Sequence, residues 1–242
     1  MSCSLKLRNI SAKIGERVLF EGLNLDVLHK EKIVIIGENG CGKSTLLEII
    51  GGLKEPANGE IELFHHKIQK ICEFEKFRNY IGYLFQNSNE QFINPIVFDD
   101  VAFGLFAQNE TIKCGKNAEF DEHLLKDHDF CAPQILSQEQ IYEKTEKILQ
   151  ELNIFHLKDK IVFHLSGGEK KLVALAGVLV CEPKIILLDE PTTALDFNMQ
   201  NRLSSILENL KISQIIVSHD EKFISNVADK IYYLSQNGLM DR

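Results

Sequence analysis

The eight residues Gly37 to Ser44, GENGCGKS, constrain this 242-residue chain more than any other feature. They follow a short β-branched run, KIVII at 32–36, and lead into a stretch of helical periodicity at 43–50. Strand, glycine-rich loop and helix form the setting in which G-x-x-x-x-G-K-[ST] binds phosphate. An ordinary glycine-rich turn is the bland alternative, and both flanking elements weigh against it. Glycines let backbone N–H groups turn inward around an anion, a lysine adds charge, and a hydroxyl is available to Mg2+. On this reading Gly37, Glu38, Asn39, Gly40, Cys41, Gly42, Lys43, Ser44 and Thr45 bind a nucleotide. Lys43 reaches the outer phosphates, and Ser44 is a magnesium ligand.

Two more buried runs, KIILL at 184–188 and QIIV at 214–217, are each reached through helical periodicity, which predicts parallel strands in an α/β core. Residues 5–10, 23–28 and 59–63 read as shorter strands of an antiparallel sheet beside that core. Another strand is expected at 230–234. From about Phe98 to Gln150 the pattern is mostly helical, broken by a polar stretch at 108–133 that reads as a surface insertion. The expected architecture is α/β: a phosphate-loop core with a mixed, mostly parallel sheet, an antiparallel β subdomain and a helical subdomain.

A phosphate loop needs a second magnesium anchor at the end of a neighbouring strand, and Asp189 follows 185–188 at that place. An acidic pair at a strand end more commonly caps the next turn. Beside a phosphate loop, Asp189 is expected to hold the metal, while the adjacent Glu190 polarises the attacking water as general base.

Composition excludes several partners. A formal charge of -8 and a pI near 5.5 leave no basic footprint for nucleic acid. No run approaches the roughly 18 to 20 apolar residues that span a bilayer, and residues 1–9 lack the apolar segment of a signal peptide. The chain is therefore expected to stay in the cytosol unless something docks it. Six cysteines, Cys3, Cys41, Cys72, Cys114, Cys131 and Cys181, show no CxxC pairing, which fits free thiols in a reducing compartment. Cys114, His123, His128 and Cys131 fall in the polar stretch but match no familiar metal spacing, and a solvated loop is the expectation there.

The residues LSGGE at 165–169 narrow the choice among nucleotide hydrolases. Two glycines opening a helix make an anion site of backbone N–H groups, with the Ser166 hydroxyl beside them. A second phosphate site looks redundant in one chain. It has a use if two copies face head to tail, each laying Ser166, Gly167 and Gly168 over the nucleotide on the other's phosphate loop. With these residues in view, the chain resembles an ATP-binding-cassette (ABC) ATPase over essentially its whole length, 1–242, as a single domain.

The resemblance implies a helical subdomain at about 87–182 that includes the insertion at 108–133. It makes 37–45 the Walker A loop, LSGGE the signature, 185–190 Walker B and Asp196 part of the D-loop. Gln86 falls at the Q-loop glutamine and His219 at the switch histidine. Alone, Gln86 reads as a turn residue and His219 as a surface histidine. Within the pattern, Gln86 touches magnesium or water, and His219 holds the γ-phosphate and the attacking water. ATP and Mg2+ are the implied cofactors. The implied partners are a second ATPase copy and integral membrane transport subunits, with the chain peripheral at the cytoplasmic face of the membrane.

Longer stretches at 83–104 and 166–183 resemble the ATPase subunits of energy-coupling-factor and cobalt or nickel importers, with their FQNPDDQLF, DVAFG and SGGQKKRVAIAGVL patterns. Uptake of a transition-metal ion or a vitamin is the implied function. An exporter or a non-transport ABC ATPase is the alternative. Departures are Glu169 for glutamine, Leu172 for arginine, and Ile14 where an adenine-stacking aromatic is expected, leaving adenine to rest on Ile14 and Val18. The sequence ends soon after 230–234, without the further segment many relatives use to hold two ATPases together, so a homodimer is expected. A coupling helix from the membrane subunits is expected in a groove walled by Phe92, Ile93, Ile96, Val97 and Phe98, its rim formed by Asn89, Glu90, Asp99 and Asp100.

Overall fold

The computed structural model describes residues 3–114 and 134–241. A six-stranded sheet runs through its centre. It comprises β3 (Lys32–Ile36), β6 (Ile81–Leu84), β7 (Ile185–Asp189), β8 (Ser213–Val217), β9 (Lys230–Ser235) and β10 (Gly238–Asp241), in the order β10-β9-β3-β8-β7-β6. Every pairing is parallel except the terminal β9–β10 hairpin. A second sheet, order β2-β1-β4-β5, is antiparallel throughout, built from β1 (Cys3–Ile14), β2 (Arg17–Leu28), β4 (Asn58–Leu63) and β5 (His66–Ile68). The mixed, mostly parallel core and the antiparallel sheet beside it are as expected from the sequence.

Strand alternation explains how the layers assemble. In β3, β7 and β8, one set of side chains (Ile33, Ile35, Ile185, Leu187, Ile215, Val217) joins helix α1 (Lys43–Ile50) and the antiparallel sheet in one apolar cluster. The opposite set (Val34, Ile36, Ile186, Leu188, Ile216) packs on α4 (Gly167–Leu179), α5 (Phe197–Asn209) and α6 (Glu221–Val227). Both faces of the parallel strands are therefore covered, and all five residues of β7 and of β8 are buried. A third cluster joins α2 (Val97–Lys113), α3 (Gln138–Glu151) and α4 through Val101, Leu105, Ile141, Leu149, Leu172 and Ala176.

Two sequence expectations change. The polar stretch read as an insertion from Gln108 begins too early, because Gln108 to Lys113 form the last turns of α2. Asn109 explains why: it is buried, and its amide bonds the Leu136 backbone in both directions (2.8 and 2.9 Å). His123, His128 and Cys131 lie outside the described residues, and Cys114 caps α2 on the exposed surface. Strand β6 was not foreseen. Its Gly82 has no room for a side chain, since a Cβ there would lie 2.4 Å from Val178 of α4. That close approach brings α4 against the edge of the sheet.

Candidate active site

Parallel register carries four chain segments to one edge. Ile35 pairs with Val217, Asp189 with Val217, and Leu84 with Leu188, so the carboxyl ends of β3, β8, β7 and β6 lie side by side. Open α/β sheets bind ligands at such an edge. Here the edge opens into a cleft of about 450 Å3 lined by Asn39, Gly40, Gly42, Lys43, Ser44, Thr45, Gln86, Asp189, Glu190 and His219. Every residue assigned from sequence to phosphate, metal or water chemistry within one chain is in that lining, apart from the loop residues Gly37, Glu38 and Cys41.

The loop's shape follows from its glycines. Gly42 caps α1 at φ 105°, and a Cβ there would crowd Leu19 and the Phe20 ring at 3.1 Å. Helix α1 starts at Lys43 with its N-terminal N–H groups facing the cleft, a natural seat for phosphate. Lys43 is nearly buried, and its Nζ donates to the carbonyls of Gly37 and Glu38, both at 2.9 Å. The Gly37 and Glu38 backbone therefore holds the lysine rather than lining the cleft.

Asp189 ends β7 in a buried position. Burial pushes its carboxyl above the usual carboxylate range, opposed by a hydrogen bond from the Ser44 hydroxyl and by the charges of Lys43 and Lys171. Its Oδ1 is buried without a hydrogen-bond partner. A carboxyl oxygen without a hydrogen-bond partner, on a side chain that a serine hydroxyl also bonds, is a fitting place for a hard cation such as Mg2+.

Glu190 departs from the strand at φ 44°, a left-handed conformation that costs a non-glycine residue energy. Its backbone stays fixed, the N–H donating to Val217 O at 2.9 Å. The turn directs the carboxylate across to His219, whose Nε2 lies 3.3 Å from Oε1. Burial raises the Glu190 carboxyl, and the His219 and Lys43 charges offset part of that rise. A partly desolvated carboxylate beside an imidazole, above a lysine and a hydroxyl, is equipped to take a proton from water next to a bound phosphate.

On the antiparallel-sheet side the cleft wall is aliphatic. Ile14, 57% exposed, lines it as the sequence comparison with adenine-stacking positions anticipates. The second wall residue is Leu19 rather than Val18, because along β2 Leu19 is buried against the core and Val18 faces outward. Sequence reasoning also missed Thr193 in the lining. It missed Arg17, whose guanidinium donates to Gly40 O at 3.3 Å, and Lys171. Neither left a sequence signal: Lys171 is the last of three consecutive charges, Glu169 to Lys171, before the apolar run LVALA.

Ser166, Gly167 and Gly168 do not line the cleft. They open α4, where Ser166 and Glu169 cap each other: the Ser166 N–H and hydroxyl donate to Glu169 Oε2 (2.9 and 2.8 Å), and the Glu169 N–H returns to Ser166 Oγ (3.3 Å). The Glu169 carboxyl is held low by those bonds. Asp196 lies outside the cleft too, capping α5 through the Met199 N–H at 2.9 Å. The two motifs are neighbours, since a Cβ on Gly168 would meet Met199 and one on Gly167 would approach Ala194 O. A helix N-terminus thus lies with Ser166 and Gly167 exposed, outside the cleft that the chain's own phosphate loop lines.

Comparison with known proteins shows the family and the fold. A family profile described as ABC transporter matches residues 20–193. An uncharacterised ABC transporter ATP-binding protein of Haemophilus influenzae is 36% identical over 230 residues, 95% of this chain and 94% of its own length. The energy-coupling factor transporter ATP-binding protein EcfA of Methanothermobacter thermautotrophicus is 32% identical, covering 98% of this chain and 69% of that protein. Among solved structures, the dimeric, post-hydrolysis form of the ATP-binding cassette MJ0796 with ADP and Pi superposes with a TM-score of 0.78, at 26% identity over 98% of this chain and 97% of that one.

Proposed function

Because this chain belongs to the ABC transporter family and is an ATPase of that family, we propose that two copies of it power the uptake of a small solute through separate membrane subunits. The observation that carries this reading is a division of labour in space. Lys43, Ser44, Gln86, Asp189, Glu190 and His219 share one cleft, while Ser166 to Gly168 open a helix outside that cleft's lining, Ser166 and Gly167 exposed. A second copy, rotated by a two-fold axis, supplies each cleft with the donors it lacks.

In this reading the loop 37–45 wraps the phosphates. Lys43 gives up the Gly37 and Glu38 carbonyls for the outer phosphate oxygens. Ser44, Asp189 and Gln86 hold Mg2+, which neutralises phosphate charge when bound. Glu190 accepts the proton of the attacking water, and His219, within reach of the Glu190 carboxylate, holds the water and γ-phosphate in line. Ser166, Gly167 and Gly168 of the other copy close over the nucleotide, with Asp196 on the adjoining surface. Adenine rests on Ile14 and Leu19.

The chain works as one domain, 1–242, whose helical subdomain at about 87–182 carries both Gln86's neighbours and the second donor site. Import is supported by the likeness at 83–104 and 166–183 to importer subunits and by the energy-coupling factor relative. A cobalt or nickel ion, or a vitamin, is the solute class. Among the described residues no helix is long and apolar enough to cross a membrane. The proposed pairing with membrane transport subunits makes the chain a peripheral subunit at the cytoplasmic face. Purification of the tagged chain with its membrane partners, followed by ATP-driven uptake of radiolabelled cobalt, nickel or vitamins into proteoliposomes, tests this. Accumulation that needs ATP supports import, and efflux alone contradicts it.

A further inference from the structure

Lysine is almost never fully buried without a partner, yet Lys171 is only 3% exposed, on a helix whose neighbouring residues Leu172 to Ala176 are all apolar. Its Nζ reaches out of α4 to two backbone carbonyls, Gln86 O at 2.8 Å and Phe85 O at 3.2 Å. Hydrogen bonds from an ionised donor are stronger than neutral ones. A second strap runs the other way. Gln91 accepts from the Phe85 N–H at 3.3 Å and donates to Ala174 O, also at 3.3 Å. Lys171 and Ala174 are three residues apart and so share one face of α4.

We propose that Lys171 is a positioning residue for Gln86, tying the loop that carries Gln86 into the nucleotide cleft to the helix that presents Ser166 to Gly168. The inference deepens the ATPase reading above and rests on it. Ser166 and Lys171 are five residues apart, about 7.5 Å along a helix axis. The two ends of this short, packed segment therefore face different nucleotides. One end meets the nucleotide of the partner copy, and the other sets Gln86 in the chain's own cleft. Closure over one nucleotide is thereby felt at the other through a rigid element, with Lys171 as the link. Its ammonium touches no substrate, and its effect on hydrolysis passes through the Gln86 backbone.

A double-mutant cycle on the full-length protein separates positioning from general support of the fold. Lys171→Met keeps the length of the side chain and removes the donor. It is expected to lower kcat for MgATP at least about tenfold while KM stays within about twofold, the pattern of a lost transition-state contact. Lys171→Arg, which keeps a cationic donor, should recover most of that loss. In a Gln86→Ala background, Lys171→Met should cost less than about twofold, because the group it positions is already gone. Equal losses in the two backgrounds, or an unchanged kcat in Lys171→Met, would overturn the proposal. Should Lys171→Met fail to fold, Lys171→Gln in both backgrounds reads the same coupling and is judged by the same two outcomes. The wild-type rate of hydrolysis tests the functional reading by itself, so the two failures are distinguishable.

Discussion

Asp189 and Glu190 are adjacent carboxylates whose backbones differ, and the proposed function gives them different tasks. Asp189 completes a buried strand and keeps Oδ1 free for a cation, whereas Glu190, at φ 44°, swings its carboxylate to His219. In the proposed function Glu190 is the general base, and replacing one of its carboxylate oxygens with an amide removes that base. Glu190→Gln is therefore expected to bind MgATP with near wild-type affinity but turn over at least about a hundredfold more slowly. Single-turnover kinetics with labelled ATP checks this, and near-normal hydrolysis would place the base elsewhere. These residues were legible in the sequence because each follows a recognisable buried strand and their spacing matches a known pattern. Lys171 and Arg17 were not, because their partners at Gln86 and Gly40 are brought close only by the tertiary fold. The strain at Glu190 has no signature in residue type.

At the scale of elements, the segment after β6 has two sides. Val97 is fully buried and Phe98 packs edge-on against Tyr142 with ring centroids 5.4 Å apart, so both belong to the helical cluster rather than to an open groove. Asp100 is no rim charge either, since its Oδ1 accepts the Ile93 and Asn94 N–H groups at 2.7 and 2.8 Å. Asn89 and Glu90 remain exposed next to Ile93, which is 66% exposed. On the proposed import reading, the docking site for a basic, amphipathic segment of a membrane subunit is smaller than the sequence suggests and centred on 89–93. Arginine at both Asn89 and Glu90 should weaken co-purification with the membrane subunits and uncouple uptake, while basal ATP hydrolysis stays within about twofold; proteoliposome uptake and pull-down measure both. Buried apolar runs were readable from sequence, as β3, β7 and β8 show, whereas β1 and β2 are twelve residues each, longer than the strands read at 5–10 and 23–28. Short ones depended on neighbours: β6 is four residues with a glycine that only the packing of α4 requires.

Across the whole molecule, two sheets share one core and leave a single edge where β3, β6, β7 and β8 end. That edge explains why motifs far apart in the chain meet. The first turn of α4, with Ser166 to Gly168, lies outside the lining of that cleft. On the proposed reading a complete site needs two chains, and the likeness to a dimeric cassette with ADP and Pi supports it. It is tested most directly by the mass in solution of Glu190→Gln, determined by light scattering behind gel filtration. With MgATP the account predicts twice the 27.6 kDa of one chain, falling to one chain when nucleotide is withheld or when Ser166→Arg is added. A Glu190→Gln protein that binds MgATP yet stays at 27.6 kDa, from a wild type that hydrolyses ATP at full rate as a monomer, would contradict it.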